Sequence, residues 1–566
     1  MDKKTPVQSI IKNTQIILNQ IKNHDDNFLL GLKDMFIITT SYRGLLKKAF
    51  SHLLDSPELI FKSLLTGLEK RDTSHHNRQF RHKTWQTKPF YYYKKSFEHL
   101  NENLVNLIIA LPHLSTFERQ QALFFTRVFL EFIAPYNHLI FHPQLLALTK
   151  EKKGENLLQG LANFLSDVTI WQGYFAISRS PIKAFTPGID VACSTGTVIQ
   201  KTNLYELLCF PAQTTNKQGT PLLLVTSWIN KYYILDLKKR NSFIHWLTEQ
   251  GFHVYTISWN MPDKSFKDYD FSYYVEHGVL NAFEQIYQYY QHPLHLAGYC
   301  LGGTLLAAAV AYLEKVVPNK VKSLSLFASM IDFNQAGTMK YLLGDAQIAA
   351  FEQSMQTANY WHGRKMAAAF CLSDAENTYW PFYTRNYLQG ESSISHELIY
   401  WAQDYTHSPQ ALFSYYMRGL YRDNLLVKKN AVIIHQQPVT ISTISCPVYC
   451  LGLQEDNLTP APAAFDTAKL FTNCQFILND GTHVSGMLST IKQTKLGYYH
   501  SELSNIPTLK EWKARAQYKK GSWWLNWQTW IQQQAPVMHP TPNHKYSLYS
   551  APGEYIQKSF LEYPEN

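Results

Sequence analysis

Leu294-His295-Leu296-Ala297-Gly298-Tyr299-Cys300-Leu301-Gly302-Gly303-Thr304 runs directly into Leu305-Leu306-Ala307-Ala308-Ala309-Val310-Ala311-Tyr312-Leu313. An apolar strand enters Gly298, and a helix rich in alanine and leucine leaves Gly302. Between them lies G-x-C-x-G, a nucleophile-elbow pattern with cysteine in place of serine. So tight a turn leaves no room for a Cβ at Gly298 or Gly302. It also projects the Cys300 sulfur over the N-terminus of the following helix, where free N–H groups and the helix dipole favour an anion. The alternative is a glycine turn that holds a buried structural cysteine. The strand before and the helix after favour a nucleophile.

Outward from the elbow, strands alternate with helices. Pro221–Val225 predicts a short buried strand that ends in a loop at Thr226-Ser227-Trp228. A helix over 240–250, a strand over His253–Trp259 and a helix over 273–290 lead to the elbow, and Ser323–Ala328 is the next strand. Such alternation implies a parallel sheet with helices on both faces. It stops from 330 to about 440, a helical stretch dense in Tyr and Trp that reads as a cap over the sheet's carboxyl edge, where open α/β sheets bind ligands. The sheet resumes at Pro447–Leu453, ending in Gln454-Glu455-Asp456. A helix over 461–471 then leads to a last strand, Gln475–Leu478, followed by Asp480-Gly481-Thr482-His483. The fold class is therefore α/β, an α/β-hydrolase fold over residues 191–566.

Residues 1–190 form a mostly helical N-terminal domain. Val7, Ile10, Ile11, Thr14, Leu18 and Ile21 predict an amphipathic helix over 7–21, docked on its own domain or lying on a lipid or polymer surface. Further helices are expected across 28–72, 96–111, 116–134 and 143–166. His75-His76 invites a metal reading, but no cysteine or second close acid supports one, and solvent-exposed histidines are the expectation.

The net charge of the 566-residue chain is +10, and it is uneven. Residues 1–100 hold 17 Lys and Arg against 9 Asp and Glu. This region is either a solvated basic face or is drawn to an anionic surface or acidic partner. No nucleic-acid recognition motif accompanies the charge. The seven cysteines lack paired CxxC spacing and read as reduced thiols. No stretch approaches about 18 uninterrupted apolar residues, so no transmembrane segment is expected. Met1–Asn13 is polar and basic with no signal-peptide core, and the reduced thiols make a cytoplasmic location the expectation.

Along the chain the order is nucleophile, acid, histidine: Cys300, Asp456, His483. Each lies just beyond a predicted strand, the α/β-hydrolase order. His483 is placed to take the thiol proton and Asp456 to orient its imidazole. Glu455 and Asp480 are alternatives to Asp456, which is favoured because a loop into a helix follows it. The oxyanion hole is expected from the backbone N–H of Leu301 and one from the 226–228 loop, that of Trp228. A thiol nucleophile also carries information. A cysteine acyl-enzyme is a thioester, which keeps the driving force for attack by an alcohol, so the residue suits acyl transfer from another thioester to a hydroxyl. Water must then be kept out, and an aromatic cap serves that end.

The residues around this core resemble the polyhydroxyalkanoate synthases, polymerases of 3-hydroxyacyl-CoA. The likeness runs from about residue 75 to 560. It is carried by Trp228–Leu237, Asn241-Ser242-Phe243, Tyr274–Leu280, the elbow, Tyr400-Trp401, Gly481–Gly486, Gly521-Ser522-Trp523-Trp524 and Ala551–Tyr555, with weaker likeness at Asn77–Phe97 and Ile133–Asn137. The resemblance implies Cys300 as acyl carrier, His483 as its base and Asp456 as the group assisting attack by the 3-hydroxyl. It implies 3-hydroxyacyl-CoA, such as 3-hydroxybutyryl-CoA, and the growing polyester as substrates. No cofactor beyond the CoA thioester itself is implied. A homodimer, a mobile cap, and attachment to polymer granules and granule-associated proteins are implied as well. The elbow and length look like the class I form. The chain departs from the usual family residues at Asn457, Ala461, Asn260, Met261 and Ala402. Two other functions share these features: a Cys-dependent thioesterase or esterase, and a weakly catalytic structural protein of granules. The intact triad speaks against the second, and the thiol argument and the Trp228–Leu237 run against the first.

Overall fold

The computed structural model describes residues 5–22, 78–213, 218–492, 494–503, 506–534, 539–540 and 547–562. The helix expected over 28–72 and the His75-His76 pair lie outside the described residues. The chain divides into two compact units.

One unit comprises Ser180–Leu343, Met355–Gly363 and Ser395–Asn566. Its centre is a sheet built from β1 (Thr197–Lys201), β2 (Tyr205–Phe210), β3 (Gln218–Val225), β4 (Phe252–Trp259), β5 (Leu294–Tyr299) and β6 (Val321–Phe327). Two small ribbons come next in the chain, β7 (Tyr360–Trp361) with β8 (Ser408–Pro409), and β9 (Val432–Ile434) with β10 (Gln437–Val439). The sheet then continues through β11 (Val448–Leu453), β12 (Cys474–Asn479), β13 (Gly497–His500) and β14 (Gln517–Lys520), with β15 (His539–Pro540) and β16 (Tyr549–Ser550) as short additions. The order is β14-β13-β12-β11-β6-β5-β3-β4-β2-β1-β16, with β15 on β3. From β4 through β3, β5, β6 and β11 to β12 every neighbouring pair is parallel. β1, β2, β13 and β14 pair antiparallel at the two sides.

This is the α/β-hydrolase arrangement, and the residue pattern explains it. β4 and β5 are buried at every position, as expected of parallel strands covered on both faces. The helix Leu301–Val316 is buried around nearly its whole circumference, which suits its run of alanine and leucine. On one face the helix Trp523–Gln533 supplies Trp523, Trp524 and Trp527, packed on Phe243 and Phe327 with ring centroids 4.9–6.0 Å apart. Their indoles donate to Gly486 O, Met487 O and Ser325 Oγ at 2.7, 3.0 and 2.9 Å. The tryptophans thereby hold the loop that follows His483. Truncating one of these buried rings to alanine would cost about 3–5 kcal/mol.

The sheet extends beyond the expectation on both sides. Gln475–Leu478 is not the last strand, since β13 and β14 follow it.

The second unit joins Met1–Arg179 with Gly344–Ser354 and Arg364–Ile394. Its described helices include Pro6–Lys22, Phe90–Ala110, Thr116–Ile133, Pro143–Glu151 and Glu155–Trp171. The amphipathic Pro6–Lys22 helix packs on Glu155–Trp171. The single helix expected over 143–166 is two, separated where Lys153 and Gly154 take positive φ. Thus the 330–440 insertion does not stay with one body, and the unit that holds the sheet begins at Ser180. The reason lies in contacts over 220 residues of sequence separation. Asn156 Nδ2 donates to Leu388 O at 2.7 Å, and Asn163 Nδ2 to Asn386 O at 2.8 Å. A Cβ on Gly160 would fall 1.8 Å from Tyr387 O, so only glycine permits this approach. Among the described residues no helix is long and apolar enough to cross a membrane, and no group of three His, Cys, Asp or Glu could hold a metal ion.

Candidate active site

The elbow is built by steric necessity. Cys300 has φ 56° and ψ −131°, outside the common regions for a non-glycine residue. Its N–H donates to Phe327 O at 3.0 Å, tying the turn to β6. A Cβ on Gly298 would lie 2.4 Å from Gly303 Cα, and one on Gly302 would lie 2.2 Å from Val225 O. The second clash shows how closely the elbow abuts the end of β3 and the 226–228 loop.

Asp456 follows β11, and its side chain is fully buried. Its Oδ1 accepts the N–H groups of Leu458 and Thr459, both at 2.8 Å, which aims Oδ2 at His483 Nδ1, 2.7 Å away. His483 follows β12 on a tight turn. Asn479 Oδ1 accepts from Gly481 N at 2.8 Å, and a Cβ on Gly481 would lie 2.4 Å from Gly486 Cα. The Tyr299 hydroxyl donates to His483 O at 3.0 Å and fixes the residue from the elbow side. Burial pulls the imidazole toward its neutral form. The charges of Asp456 and Cys300, with the hydrogen bond to Asp456, outweigh it and hold the pKa well above the ordinary 6.5.

The structure therefore brings Cys300, His483 and Asp456 together, with His483 hydrogen-bonded to Asp456 and subject to the charge of Cys300. The alternatives fall away: Glu455 is exposed, and Asp480 Oδ2 takes the Tyr518 hydroxyl at 2.7 Å and Gly497 N at 3.2 Å. Leu301 opens the helix after the elbow, and Trp228 stands on the loop beside it. Two of the departing residues serve the scaffold. Asn260 Nδ2 donates to Asn203 O at 2.6 Å, and Met261 Sδ accepts from His407 N at 3.3 Å.

Sequence reasoning missed what secures the 226–236 loop. Lys231 Nζ lies 2.9 Å from Asp404 Oδ1, with both side chains largely buried, and the Tyr233 hydroxyl donates to Asp404 Oδ2 at 2.7 Å. Trp401 Nε1 donates to Lys231 O at 2.8 Å, Thr406 N to Ile229 O at 3.1 Å, and the Thr406 hydroxyl to Trp228 O. The available signal was a lysine inside the apolar run Trp228–Leu237.

Residues 76–247 match the family described as the poly-beta-hydroxybutyrate polymerase (PhaC) N-terminus. The chain is similar to a poly(3-hydroxyalkanoate) polymerase of Methylorubrum extorquens, 32% identical over 85% of this chain and 80% of that one. It is similar to the poly(3-hydroxyalkanoate) polymerase subunit PhaC of Cupriavidus necator, at 27% identity over 88% and 86% of the two chains. To poly(3-hydroxyalkanoate) polymerase 1 of Ectopseudomonas oleovorans it is 24% identical, over 94% and 96%. Among solved structures, a thioesterase domain from the curacin biosynthetic pathway is similar to 52% of the chain and covers 97% of its own length, with 10% identity and a TM-score of 0.31.

Proposed function

Since this chain belongs to the poly(3-hydroxyalkanoate) polymerase family, we propose that it polymerises 3-hydroxyacyl-CoA, such as 3-hydroxybutyryl-CoA, through a thioester on Cys300. The observation that carries this reading is the position of His483, whose Nδ1 lies 2.7 Å from the buried Asp456 carboxylate and whose imidazole also feels the charge of Cys300. His483 takes the thiol proton, and Sγ attacks the thioester carbonyl. The bond from the acyl carbon to the CoA sulfur breaks, and the departing thiolate collects the proton from the imidazolium. The acyl group now sits on Cys300. The 3-hydroxyl of an incoming monomer then attacks it while His483, oriented by Asp456, removes the hydroxyl proton. An ester forms, the Cys300 sulfur is freed, and attack on the new thioester reloads it with a longer chain. The backbone N–H groups of Leu301 and Trp228 are assigned to the oxyanion of each tetrahedral intermediate. No cofactor enters these steps.

The enzyme is assigned to the cytoplasm, at the surface of polymer granules and with granule-associated proteins, as a homodimer. Support for the surface assignment comes from the basic excess in residues 1–100. Phe129, Phe132 and Ile140, which are 55–67% exposed, add to it. Incubation with 3-hydroxybutyryl-CoA tests the reading. Polymer with stoichiometric CoA supports it, free 3-hydroxybutyrate in place of polymer makes the enzyme a thioesterase, and no CoA release removes both.

A further inference from the structure

We infer that the indole N–H of Trp228 is a substrate-binding donor, which takes the 3-oxygen of the acyl group carried to Cys300; the inference rests on the acyl-transfer reading above. Trp228 is 2% exposed, yet its Nε1 has no hydrogen-bond partner among the described residues. The Thr226 hydroxyl, two residues earlier and also 2% exposed, is in the same condition. A buried donor that gives up water and gains nothing is costly, so such groups ask for a ligand. Neighbouring indoles are occupied: Trp259 donates to Thr226 O at 3.0 Å and Trp401 to Lys231 O at 2.8 Å.

Orphan indoles also occur at Trp85 and Trp512. Trp228 differs from them in its place. Its loop abuts the elbow, since a Cβ on Gly302 would lie 2.8 Å from the carbonyl carbon of Thr226. Nor is the loop slack, because the carbonyls of Thr226, Trp228 and Ile229 are each held by a donor. The indole packs edge-on to Tyr416, with centroids 6.1 Å apart at 89°, and 6.4 Å from Tyr274. Tyr416 donates to Tyr421 at 3.3 Å. Burial raises both phenols above their ordinary range, and the nearby charge of Cys300 adds to it. The indole thus stands on a loop that lies against the elbow carrying the thiol.

An indole N–H donates and never accepts, so its ligand must offer a lone pair. The 3-oxygen does so whether it is a free hydroxyl or already part of an ester. As a hydroxyl it accepts from Trp228 and still keeps its own proton for the base.

The test is single-turnover CoA release from 3-hydroxybutyryl-CoA and from butyryl-CoA, which lacks that oxygen. The readout is the ratio of the two specificity constants. Loss of one such hydrogen bond is worth about tenfold, so the wild type should favour the hydroxylated substrate by roughly that factor. Trp228→Phe should bring the ratio to within about twofold of one. Benzothienylalanine at 228 keeps the ring shape without the N–H, and it decides the matter if Trp228→Phe does not fold. General damage to the site lowers both constants and leaves the ratio alone. A wild-type ratio near one, or a ratio unchanged in a folded variant, overturns the inference while the acyl-transfer reading stands. Absence of CoA release from either substrate in the wild type overturns that reading and the inference with it.

Discussion

His483 Nδ1 lies 2.7 Å from Asp456 Oδ2, and the two residues come from loops after neighbouring parallel strands, β11 and β12. Because Oδ1 of Asp456 is already committed to two backbone N–H groups, an asparagine there would turn its amide nitrogen toward His483 and impose the wrong tautomer. A secondary alcohol is far less acidic than a thiol, so elongation needs the base more than acylation does. Asp456→Asn should lose about 10²–10⁴-fold in polymerisation and distinctly less in first-turnover CoA release. Equal losses in stopped-flow CoA release and in polymer yield would show that the carboxylate serves both steps alike.

The raised pKa of His483 makes stability depend on pH. Burial lowers it, and Asp456 and Cys300 more than restore it. A group whose folded pKa is raised contributes in full below its unfolded pKa, and the contribution is lost as pH rises through the folded value. The difference in urea midpoint between wild type and His483→Gln should therefore be largest near or below pH ~6.5 and shrink in alkali. A difference that widens with pH would contradict this electrostatic account.

Gly302→Ala places a methyl group 2.2 Å from Val225 O, against backbone that cannot yield as a flexible side chain would. Overpacking of this kind costs roughly 1–3 kcal/mol or more, and here it also moves Cys300. Chemical denaturation should show the loss, and polymerisation should fall further than stability alone explains. A variant with wild-type stability and rate would mean that the turn is looser than described.

Lys231 and Asp404 form a buried pair, with side chains 7% and 11% exposed. Removing one partner strands the other, so Lys231→Met should cost about 3–5 kcal/mol, and adding Asp404→Leu should recover part of that. Denaturation of the single and double variants checks both statements. A double variant less stable than Lys231→Met would show that Asp404 is held chiefly by Tyr233.

What was legible in the chain was whatever depends on short-range pattern. The elbow, the parallel strands and the order Cys300, Asp456, His483 all follow from apolar runs ending at turns, and the structure places these three side chains together. What escaped depends on distant partners. β2 contains the fully buried Glu206, which interrupts the apolar pattern. Its carboxylate is satisfied by the Tyr549 hydroxyl and the N–H groups of Glu554 and Tyr555, over 340 residues away. β14 is exposed at every position and leaves no hydrophobic signature. The division of the 330–440 insertion between two units rests on contacts such as Asn156 with Leu388, which no local pattern encodes. The Lys231–Asp404 clamp was hidden for the same reason.

The central claim is that Cys300 carries the polyester chain, and peptide mass spectrometry after brief exposure to 3-hydroxybutyryl-CoA tests it most directly. The account predicts that the Cys300 peptide gains a ladder of 3-hydroxybutyryl units, labile to hydroxylamine as a thioester is, and that Cys300→Ser folds with polymerisation largely abolished. Polymer made at a near wild-type rate by Cys300→Ser, or a ladder on another residue, would contradict it.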